Sequence, residues 1–328
     1  MKAILNKLFE HQTLTQQEAK QVLVDIAAEK YNAAHMAAFM TVFMMRSITV
    51  AELTGFREAL LELAVRMNFS DFNTIDLCGT GGDGKNTFNI STLTSFVVAG
   101  TGNKVAKHGN YSVSSASGSS NMLEHLGYTF TNNEAVLKKQ LDKANICFLH
   151  APLFHPAMKA LGPVRRELGL KTFFNMLGPL VNPSQPQNQL VGVFNLEVAR
   201  TYNYLLQGTS LNYGVLYALD GYDEISLTSP FKLFTKEGEQ TVHPTDLGLP
   251  TIQPSEIFGG NSVPEAAEIF VRVLNGEGTE AQNNVVLTNA AFALKTFDAS
   301  KSFETAFEEA KRSLLGLKAK KSLELIVG

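Results

Sequence analysis

The sequence lacks the features of a secreted or membrane-spanning protein. It has only two cysteines, Cys78 and Cys147, among 328 residues, which is too few for a disulfide scaffold. No run of about 18 apolar residues occurs, and the first 20 residues mix short apolar stretches with charged and amide side chains. We therefore expect no membrane span and no signal peptide, and we predict a cytoplasmic location.

The chain also lacks the strongly basic character of general nucleic-acid-binding proteins. Its 28 Lys and Arg residues are outnumbered by 31 Asp and Glu residues, which gives a net charge of -3 and argues against a nucleic-acid partner. One local basic pocket remains compatible with this balance. Hydrophobic residues make up 45% of the chain, so a sizeable core is expected, in one large domain or two ordinary ones.

Residues 1–68 have the pattern of a helical domain without strands. Thr15 and Glu18 have the spacing of a capping box, and Asn32 and Thr49 are candidate N-caps of two later helices. The helix after Asn32 is apolar on most sides, so it must be buried. In so small a unit, part of that burial can be against another subunit.

Residues 73–328 have the pattern of a larger α/β domain. Apolar strand-like segments alternate with helical ones, and "YGVLYAL" at 213–219 is a continuous apolar run, as expected of a strand buried on both faces. This alternation predicts a mostly parallel sheet covered by helices. The predicted fold is therefore a small N-terminal helical domain followed by an α/β domain.

A glycine-rich turn, "CGTGGDGKNTFNIST" at 78–92, follows the first predicted strand. Glycines permit positive φ and close ligand approach, successive backbone N–H groups can bind anions, and a helix start adds partial positive charge. The turn matches neither the dinucleotide-binding nor the Walker pattern, since Asn86 follows Lys85. It is either a phosphate cradle or only a tight turn before a capped helix.

A second polar loop, "KHGNYSVSSASGSS" at 107–120, also lies between a predicted strand and a predicted helix. Lys107 is suited to phosphate and the serine hydroxyls add donors, although a serine-rich loop can also be a solvated linker. On parallel strands both loops would open at the carboxyl edge of the sheet, where ligands bind in α/β folds. The two loops together favour a phosphate-containing ligand.

Two later charged segments suggest further ligand contacts. Arg165 and Arg166 in "GPVRRELG" form either a solvated helix face or a site for a carboxylate or phosphate. Asp223 and Glu224 follow the buried strand, in a turn that is either merely solvated or binds Mg²⁺ together with substrate phosphates. Two acids near phosphate loops would repel the ligand unless a cation lay between them, which favours the metal hypothesis.

Taken together, these segments resemble the anthranilate phosphoribosyltransferases of tryptophan biosynthesis. The motifs that carry the resemblance are GTGGD at Gly79–Asp83, NIST at Asn89–Thr92, KHGN at Lys107–Asn110, SSASGS at Ser114–Ser119 and HPAMK…GPVRRELG…FNMLGPLVNP from His155. Their order and spacing match over nearly the whole chain. The resemblance implies the fold shared with pyrimidine nucleoside phosphorylases, a segment near 165–185 that crosses back to the helical domain, and a homodimer formed through that domain.

The resemblance also implies a reaction, in which the amino group of anthranilate attacks C1 of phosphoribosyl pyrophosphate and pyrophosphate leaves. Such chemistry needs positioning and leaving-group stabilisation rather than a covalent nucleophile. The residues that the resemblance assigns to substrate binding are Gly79, Gly82, Asp83, Thr87, Asn89, Ile90, Ser91, Thr92, Lys107, His108, Gly109, Asn110, Ser114, Ser115, Ser119 and Arg165. Asn110 and Arg165 would hold anthranilate, with Arg165 on its carboxylate, and His108 would be the catalytic residue near the attacking amine. Two Mg²⁺ ions would be bound by Ser91, Asp223 and Glu224.

The chain departs from the family pattern at Tyr111, Ala116, Asn121 and His150. The first two positions often carry a cation, so phosphate affinity would be weaker, but the core motif positions are untouched. Two other functions compete. A nucleoside phosphorylase of the same fold would have a KHSTGG-like loop, and a silent relative that binds nucleic acid would be basic and would lack the acidic pair.

Overall fold

The chain forms two compact units, each of which is described by itself. The computed structural model describes residues 1–112, 117–170 and 172–327. The first unit comprises Met1–Met67 and Ala151–Gln185, and the second comprises Asn68–His150 and the residues from Pro186 onward. The later segment of the first unit therefore begins at Ala151.

The helices are, in chain order, α1 (Lys2–Phe9), α2 (Gln16–Ala27), α3 (Ala33–Met45), α4 (Val50–Leu63), α5 (Ile90–Gly100), α6 (Ser119–His125), α7 (Glu134–Ala144), α8 (Ala151–Phe154), α9 (Met158–Leu168), α10 (Leu196–Gln207), α11 (Val263–Leu274), α12 (Glu280–Phe297), α13 (Phe303–Leu315) and α14 (Lys318–Val327). The strands are β1 (Thr74–Gly79), β2 (Lys104–Gly109), β3 (Ile146–His150), β4 (Asn188–Gly192), β5 (Asn212–Ala218), β6 (Phe231–Thr235) and β7 (Gly238–Val242). Short 3₁₀ turns cover Phe173–Met176, Gly178–Leu180, Pro244–Leu247 and Pro254–Ile257.

The N-termini of α2, α3 and α4 begin at the predicted caps. Thr15 Oγ1 accepts a hydrogen bond from Glu18 N at 3.2 Å, and Glu18 Oε2 accepts one from Thr15 N at 2.8 Å. Thr49 forms the same kind of capping box at α4, and Asn32 Oδ1 accepts from His35 N at 2.9 Å. Each cap satisfies backbone donors that would otherwise have no partner at the helix start.

The core of the first unit is rich in aromatic rings. Phe43 and Phe56, from α3 and α4, pack on Phe173 with ring centroids 4.9 and 4.7 Å away. Such ring pairs add about 0.5–1.5 kcal/mol beyond the burial of their area. Helix α3 also carries large apolar residues away from this core, and Met45 at its end is 84% exposed.

The second unit is built on a seven-stranded sheet with the order β3-β2-β1-β4-β5-β6-β7. The first five strands in this order are parallel, and β6 and β7 are antiparallel to their neighbours. The predicted α/β fold with a mostly parallel sheet is confirmed. The edge hairpin at 231–242 has no counterpart in the sequence prediction, because its outer strand, GEQTV, is almost entirely exposed and carries no apolar alternation.

Two helices of the second unit are buried along most of their length and bring polar residues to the carboxyl edge of the sheet. Residues Thr92–Ala99 of α5 and Val285–Leu294 of α12 are all buried, and both helices contact β1. None of the helices in the described part of the chain is both long enough and apolar enough to span a membrane.

Candidate active site at the carboxyl edge of the sheet

The candidate site lies where the strand order of the sheet reverses. From the adjacent strands β1 and β4, the chain continues to β2 on one side and to β5 on the other. Residues Ile75–Gly79 pair in parallel with Asn188–Gly192, so the carboxyl ends of these strands lie side by side. Ligands of open α/β sheets usually bind in the crevice at such a switch point.

The glycine loop leaves β1 at this point. Gly81, Gly82 and Gly84 have φ values of 63°, 75° and 75°, a conformation that costs other residues free energy. Asp83 Oδ1 accepts a hydrogen bond from Lys85 N at 3.0 Å, which closes the turn. The loop therefore needs its glycines for the shape of its backbone.

A second segment supports the end of the glycine loop. Residues 86–88 run antiparallel to residues 257–259, joined by backbone hydrogen bonds of 2.9 and 3.2 Å. A Cβ added at Gly259 would overlap the backbone of Thr87, so only glycine permits this approach. Sequence reasoning missed this support, because the two segments are about 170 residues apart and share no motif.

The acidic turn after β5 reaches the glycine loop and the start of α5. Asp223 Oδ2 accepts a hydrogen bond from Gly81 N at 2.6 Å. Glu224 Oε1 accepts one from Ser91 N at 2.9 Å. Residues that lie more than 130 positions apart in the sequence are thus brought together, as the phosphate and metal hypotheses require.

Two glycines at strand ends make room for this acidic turn. A Cβ at Gly79 would overlap the carboxylate of Asp223, and a Cβ at Gly192 would overlap the backbone carbonyl of the same residue. The sequence motif includes Gly79 but not Gly192. Both positions require glycine because another part of the chain approaches closely, not because of positive φ.

The surroundings of the acidic pair disfavour its charged form. Burial raises the pKa of Asp223, and the charge of Asp83 raises it further. Burial also raises the pKa of Glu224, with a further contribution from Asp223. In the described part of the chain, neither member of the pair forms an ion pair within 4.0 Å. Neighbouring carboxylates in such a setting favour a bound cation.

Lys107 is a buried cation beside this pair. Its side chain is 2% exposed, and Nζ donates to Leu77 O and, at 3.4 Å, to Ser91 Oγ. Burial lowers the pKa of Lys107, while the nearby charges of Asp76 and Glu224 oppose that shift. The ammonium group therefore lies next to the start of α5, where the sequence predicts phosphate.

The KHGN segment ends β2 and packs against the start of α6. The backbone N–H of His108 donates to Asp76 Oδ1 at 3.0 Å, and His108 is 6% exposed. Asn110 O accepts from Ser119 Oγ at 3.3 Å, and a Cβ at Gly109 would overlap that hydroxyl. Asp76 is fully buried and was not predicted; an acid within the apolar strand TIDLCG was the available signal.

Three of the family departures contribute contacts to this part of the unit. The rings of Tyr111 and His150 meet edge to face, with centroids 4.8 Å apart. Asn121 Oδ1 accepts hydrogen bonds from Ser112 N at 2.9 Å and Gly118 N at 3.1 Å. These residues therefore stabilise the local structure around the KHGN segment.

The structure places most of the predicted residues of the second unit on the strand ends, loops and helix starts at the carboxyl edge. These are Gly79, Gly82, Asp83, Thr87, Asn89, Ile90, Ser91, Thr92, Lys107, His108, Gly109, Asn110, Ser119, Asp223 and Glu224. Ile90 and Thr92 are 0% and 1% exposed, so their side chains belong to the core. The predicted residues Ser114 and Ser115, and the departure Ala116, lie outside the described residues.

Arg165 belongs to the first unit, on α9. Its Nη2 donates to Asn175 Oδ1 at 3.4 Å, and its guanidinium lies 5.6 Å from the ring centroid of Phe174. Burial lowers the pKa of Arg165, although a guanidinium stays charged in proteins. Its neighbour Arg166 is exposed, as expected for helix positions about 100° apart.

The acidic pair fits a metal ion that takes further ligands from a substrate. In the part of the chain that the structure describes, no group of three or more His, Cys, Asp or Glu side chains could hold a metal. Mg²⁺ commonly binds through one or two carboxylates, with waters and substrate phosphates completing its shell. Ser91, Asp223, Glu224 and Asn289 line a common small pocket.

Models of known protein families match this sequence in both of its units. Residues 2–64 match the helical bundle domain of a glycosyl transferase family, and residues 71–319 match the a/b domain of that family. The anthranilate phosphoribosyltransferase of Flavobacterium johnsoniae is 60% identical over 99% of this chain and 98% of the relative. The protein of the same name from Christiangramia forsetii is 56% identical over 97% and 96%.

Solved structures show the same fold. An anthranilate phosphoribosyltransferase from Thermus thermophilus has a TM-score of 0.92 at 29% identity, with 98% of each chain covered. The enzyme of that name from Saccharomyces cerevisiae, in complex with PRPP and Mg, has a TM-score of 0.90 at 24% identity, covering 98% of this chain and 95% of that one. The similarity to the Saccharomyces cerevisiae structure, at 24% identity, is evidence for the fold alone.

Proposed function

This chain belongs to the anthranilate phosphoribosyltransferase family, and we propose that it transfers the phosphoribosyl group of 5-phosphoribosyl 1-pyrophosphate to the amino group of anthranilate. The products are N-(5-phosphoribosyl)anthranilate and pyrophosphate, in tryptophan biosynthesis. One observation supports this most: the glycine loop, Lys107 and the pair Asp223 and Glu224 converge at the switch point of the sheet. This set suits a ligand with several phosphates and an accompanying cation.

The leaving pyrophosphate is proposed to bind at the glycine loop and the start of α5. Lys107 Nζ and Ser91 Oγ lie within 3.4 Å of each other, so both can contact the same group of phosphate oxygens. These oxygens gain negative charge as the bond to C1 breaks. A fixed cation that binds the developing charge more strongly than the ground state accelerates the reaction.

Two Mg²⁺ ions are proposed to be held by Ser91, Asp223 and Glu224 together with substrate oxygens. When bound, Mg²⁺ neutralises and orients the pyrophosphate group. The protein holds the two carboxylates in place through hydrogen bonds from Gly81 N and Ser91 N. Because few protein ligands are available, we expect the free protein to bind Mg²⁺ weakly.

Anthranilate is proposed to be held by Asn110 and Arg165, with Arg165 on its carboxylate. A guanidinium can bind both oxygens of a carboxylate, and Arg165 has no carboxylate partner within 4.0 Å among the described residues. His108 is proposed to lie beside the attacking amine, where an imidazole can take up the proton that the amine loses. No covalent intermediate with the protein is required, so the residues act by positioning.

Measurement of pyrophosphate release tests the proposed reaction. We expect release that requires phosphoribosyl pyrophosphate, anthranilate and Mg²⁺ together. Thymidine phosphorolysis and a DNA gel shift, measured on the same preparation, test the two competing functions. Either of these activities in the absence of anthranilate-dependent release would overturn the proposal.

The functional assembly is proposed to be a homodimer formed through the helical unit. Phe9 on α1 and Met44 and Met45 on α3 are 59%, 39% and 84% exposed, and exposed large apolar residues are candidates for an interface. Sedimentation of the wild type should show a dimer, and Met45→Glu should weaken it. A wild type that stays monomeric at micromolar concentration would contradict this assembly. The cytoplasmic location stays a prediction.

A further inference from the structure

Asn289 is a polar residue in the buried middle of α12. All residues from Val285 to Leu294 are buried, and Asn289 itself is 5% exposed. Burial of an amide is unfavourable unless its polar atoms are hydrogen-bonded. The partners of this side chain therefore indicate what it does for the protein.

The side chain of Asn289 forms hydrogen bonds with both the backbone N–H and the backbone carbonyl of Ile225. Oδ1 accepts from Ile225 N at 3.2 Å, and Nδ2 donates to Ile225 O at 2.9 Å. A further bond runs from Nδ2 to Val285 O at 2.8 Å on the same helix. Two bonds to one residue fix both the position and the orientation of its peptide groups, and Ile225 is fully buried.

Ile225 comes directly after Asp223 and Glu224 in the chain. At the opposite end of the turn, Asp220 accepts hydrogen bonds from Thr228 Oγ1 and Ser229 Oγ, which lie nearby in the sequence, and it is exposed. The hydrogen bonds of Asn289 join the backbone of the turn to the buried helix α12. Its side chain also lines the pocket that both acids line.

We propose that Asn289 is a positioning residue that holds Asp223 and Glu224 where they can bind a divalent cation together with pyrophosphate oxygens. The inference rests on the metal role given to the two acids under the proposed function. Asn289 acts through the backbone of Ile225 and not by contact with the substrate. Hydrogen bonds that orient metal ligands from the outside typically change metal affinity or activity by about 10–100-fold when they are removed.

Asn289→Ala tests this role by removing all three hydrogen bonds. The Mg²⁺ concentration for half-maximal pyrophosphate release should rise by about 10–100-fold, while the KM for anthranilate stays unchanged. A second readout needs no turnover. With phosphoribosyl pyrophosphate and Mg²⁺ but no anthranilate, the rise in Tm that the ligands cause in the wild type should be largely lost in the variant and should return at high Mg²⁺.

Thr288→Val is the matched control. Thr288 is fully buried on the same helix, and its Oγ1 donates at 2.7 Å to Asn284 O, within α12. We expect this variant to lower the Tm and to leave the Mg²⁺ titration unchanged. If Asn289→Ala does not fold, Asn289→Ser, which keeps a small polar side chain, takes its place in both measurements.

A folded Asn289 variant with a lower Tm but a wild-type Mg²⁺ titration would overturn the proposal and leave Asn289 a purely structural residue. The double variant Asp223→Asn, Glu224→Gln, titrated in parallel, separates the two hypotheses. If the acid variant shifts the Mg²⁺ dependence and the Asn289 variant does not, only the positioning role fails. If neither shifts it, the metal role of the acids fails and the inference fails with it.

Discussion

Buried carboxylates in the two units have very different surroundings. Glu52 in the first unit is fully buried and accepts hydrogen bonds from both terminal nitrogens of Arg46 and from the backbone and hydroxyl of Thr49. Asp223 and Glu224 in the second unit are partly buried, and no cation of the described chain pairs with them within 4.0 Å. The fold thus pairs Glu52 with an arginine, whereas Asp223 and Glu224 have no ion-pair partner within 4.0 Å among the described residues.

The pKa directions follow from this difference. Burial by itself would raise the pKa of Glu52, but the hydrogen bonds from Arg46 and from backbone N–H groups outweigh it, so the pKa is lowered. For Asp223 and Glu224 burial raises the pKa, and neighbouring carboxylates add to the rise. A buried charge with a full set of partners serves the fold, whereas one without them is a candidate for binding a ligand.

Glu52→Ala should produce the largest effect, and it should be on stability. The change leaves the partly buried guanidinium of Arg46 without its carboxylate, which for buried pairs costs about 3–5 kcal/mol. Unfolding in urea measures the loss. Glu62→Ala is the control, since Glu62 is 56% exposed in its 2.7 Å pair with Lys20 and such pairs contribute at most about 1 kcal/mol. Equal losses in the two variants would contradict the structural role of Glu52.

Asp223→Asn combined with Glu224→Gln should produce the opposite pattern. If the two acids bind Mg²⁺ with the substrate, we expect kcat to fall by about 100–1,000-fold and far more Mg²⁺ to be needed. The Tm should stay the same or rise, because the substitutions replace two carboxyl groups whose charged forms are disfavoured by burial and by neighbouring carboxylates. Rate titrations against Mg²⁺ and thermal unfolding measure both effects. If the rate titrations of variant and wild type against Mg²⁺ superimpose, the hypothesis that the two acids bind the metal is wrong.

The sequence predicted the parts of the fold that have local signatures. The capping residues Thr15 and Thr49 are confirmed, because a cap and its partner lie three residues apart. The α/β alternation likewise gave the correct fold class. The acids Asp223 and Glu224 were found because they follow a continuous apolar strand, and the structure brings them to the glycine loop. Their ligand roles stay predictions.

The supports of the site could not be predicted, because their partners are distant in the sequence. Asn289 is 64 residues from the backbone it holds. Gly192 requires glycine only because the turn at Asp223 lies against it. Asp76 accepts from a backbone N–H that is 32 residues away. A polar residue or glycine within an apolar element is the only local sign of such positions, and it does not identify the partner.

Arg165 extends the comparison to the first unit, because it is a half-buried cation whose contacts among the described residues are Asn175 Oδ1 at 3.4 Å and the ring of Phe174. If it binds the carboxylate of anthranilate, Arg165→Ala should cost about 1.5–3 kcal/mol, or roughly tenfold or more in the KM for anthranilate. The KM for phosphoribosyl pyrophosphate should stay nearly unchanged. Arg166→Ala is the control, because Arg166 is exposed, and its effect should be milder. Equal weakening of both substrates by Arg165→Ala would contradict the assigned role.

The smallest expected effect is the pH dependence of the stability that Glu52 contributes. Because its pKa is lowered in the folded state, its charge contributes fully above the unfolded pKa of about 4.3, and this contribution is lost as the pH falls through the folded pKa. Urea unfolding of wild type and Glu52→Gln between about pH 3 and pH 6 measures it. The difference in unfolding free energy should be constant near pH 6 and should shrink below about pH 4.3.

Glu62→Gln should show a much smaller change, because solvent screens its exposed pair. If the wild type keeps the same stability advantage over Glu52→Gln at the lowest pH, the partners of Glu52 do not favour its charged form. The contrast with Asp223 and Glu224 would then have no electrostatic basis.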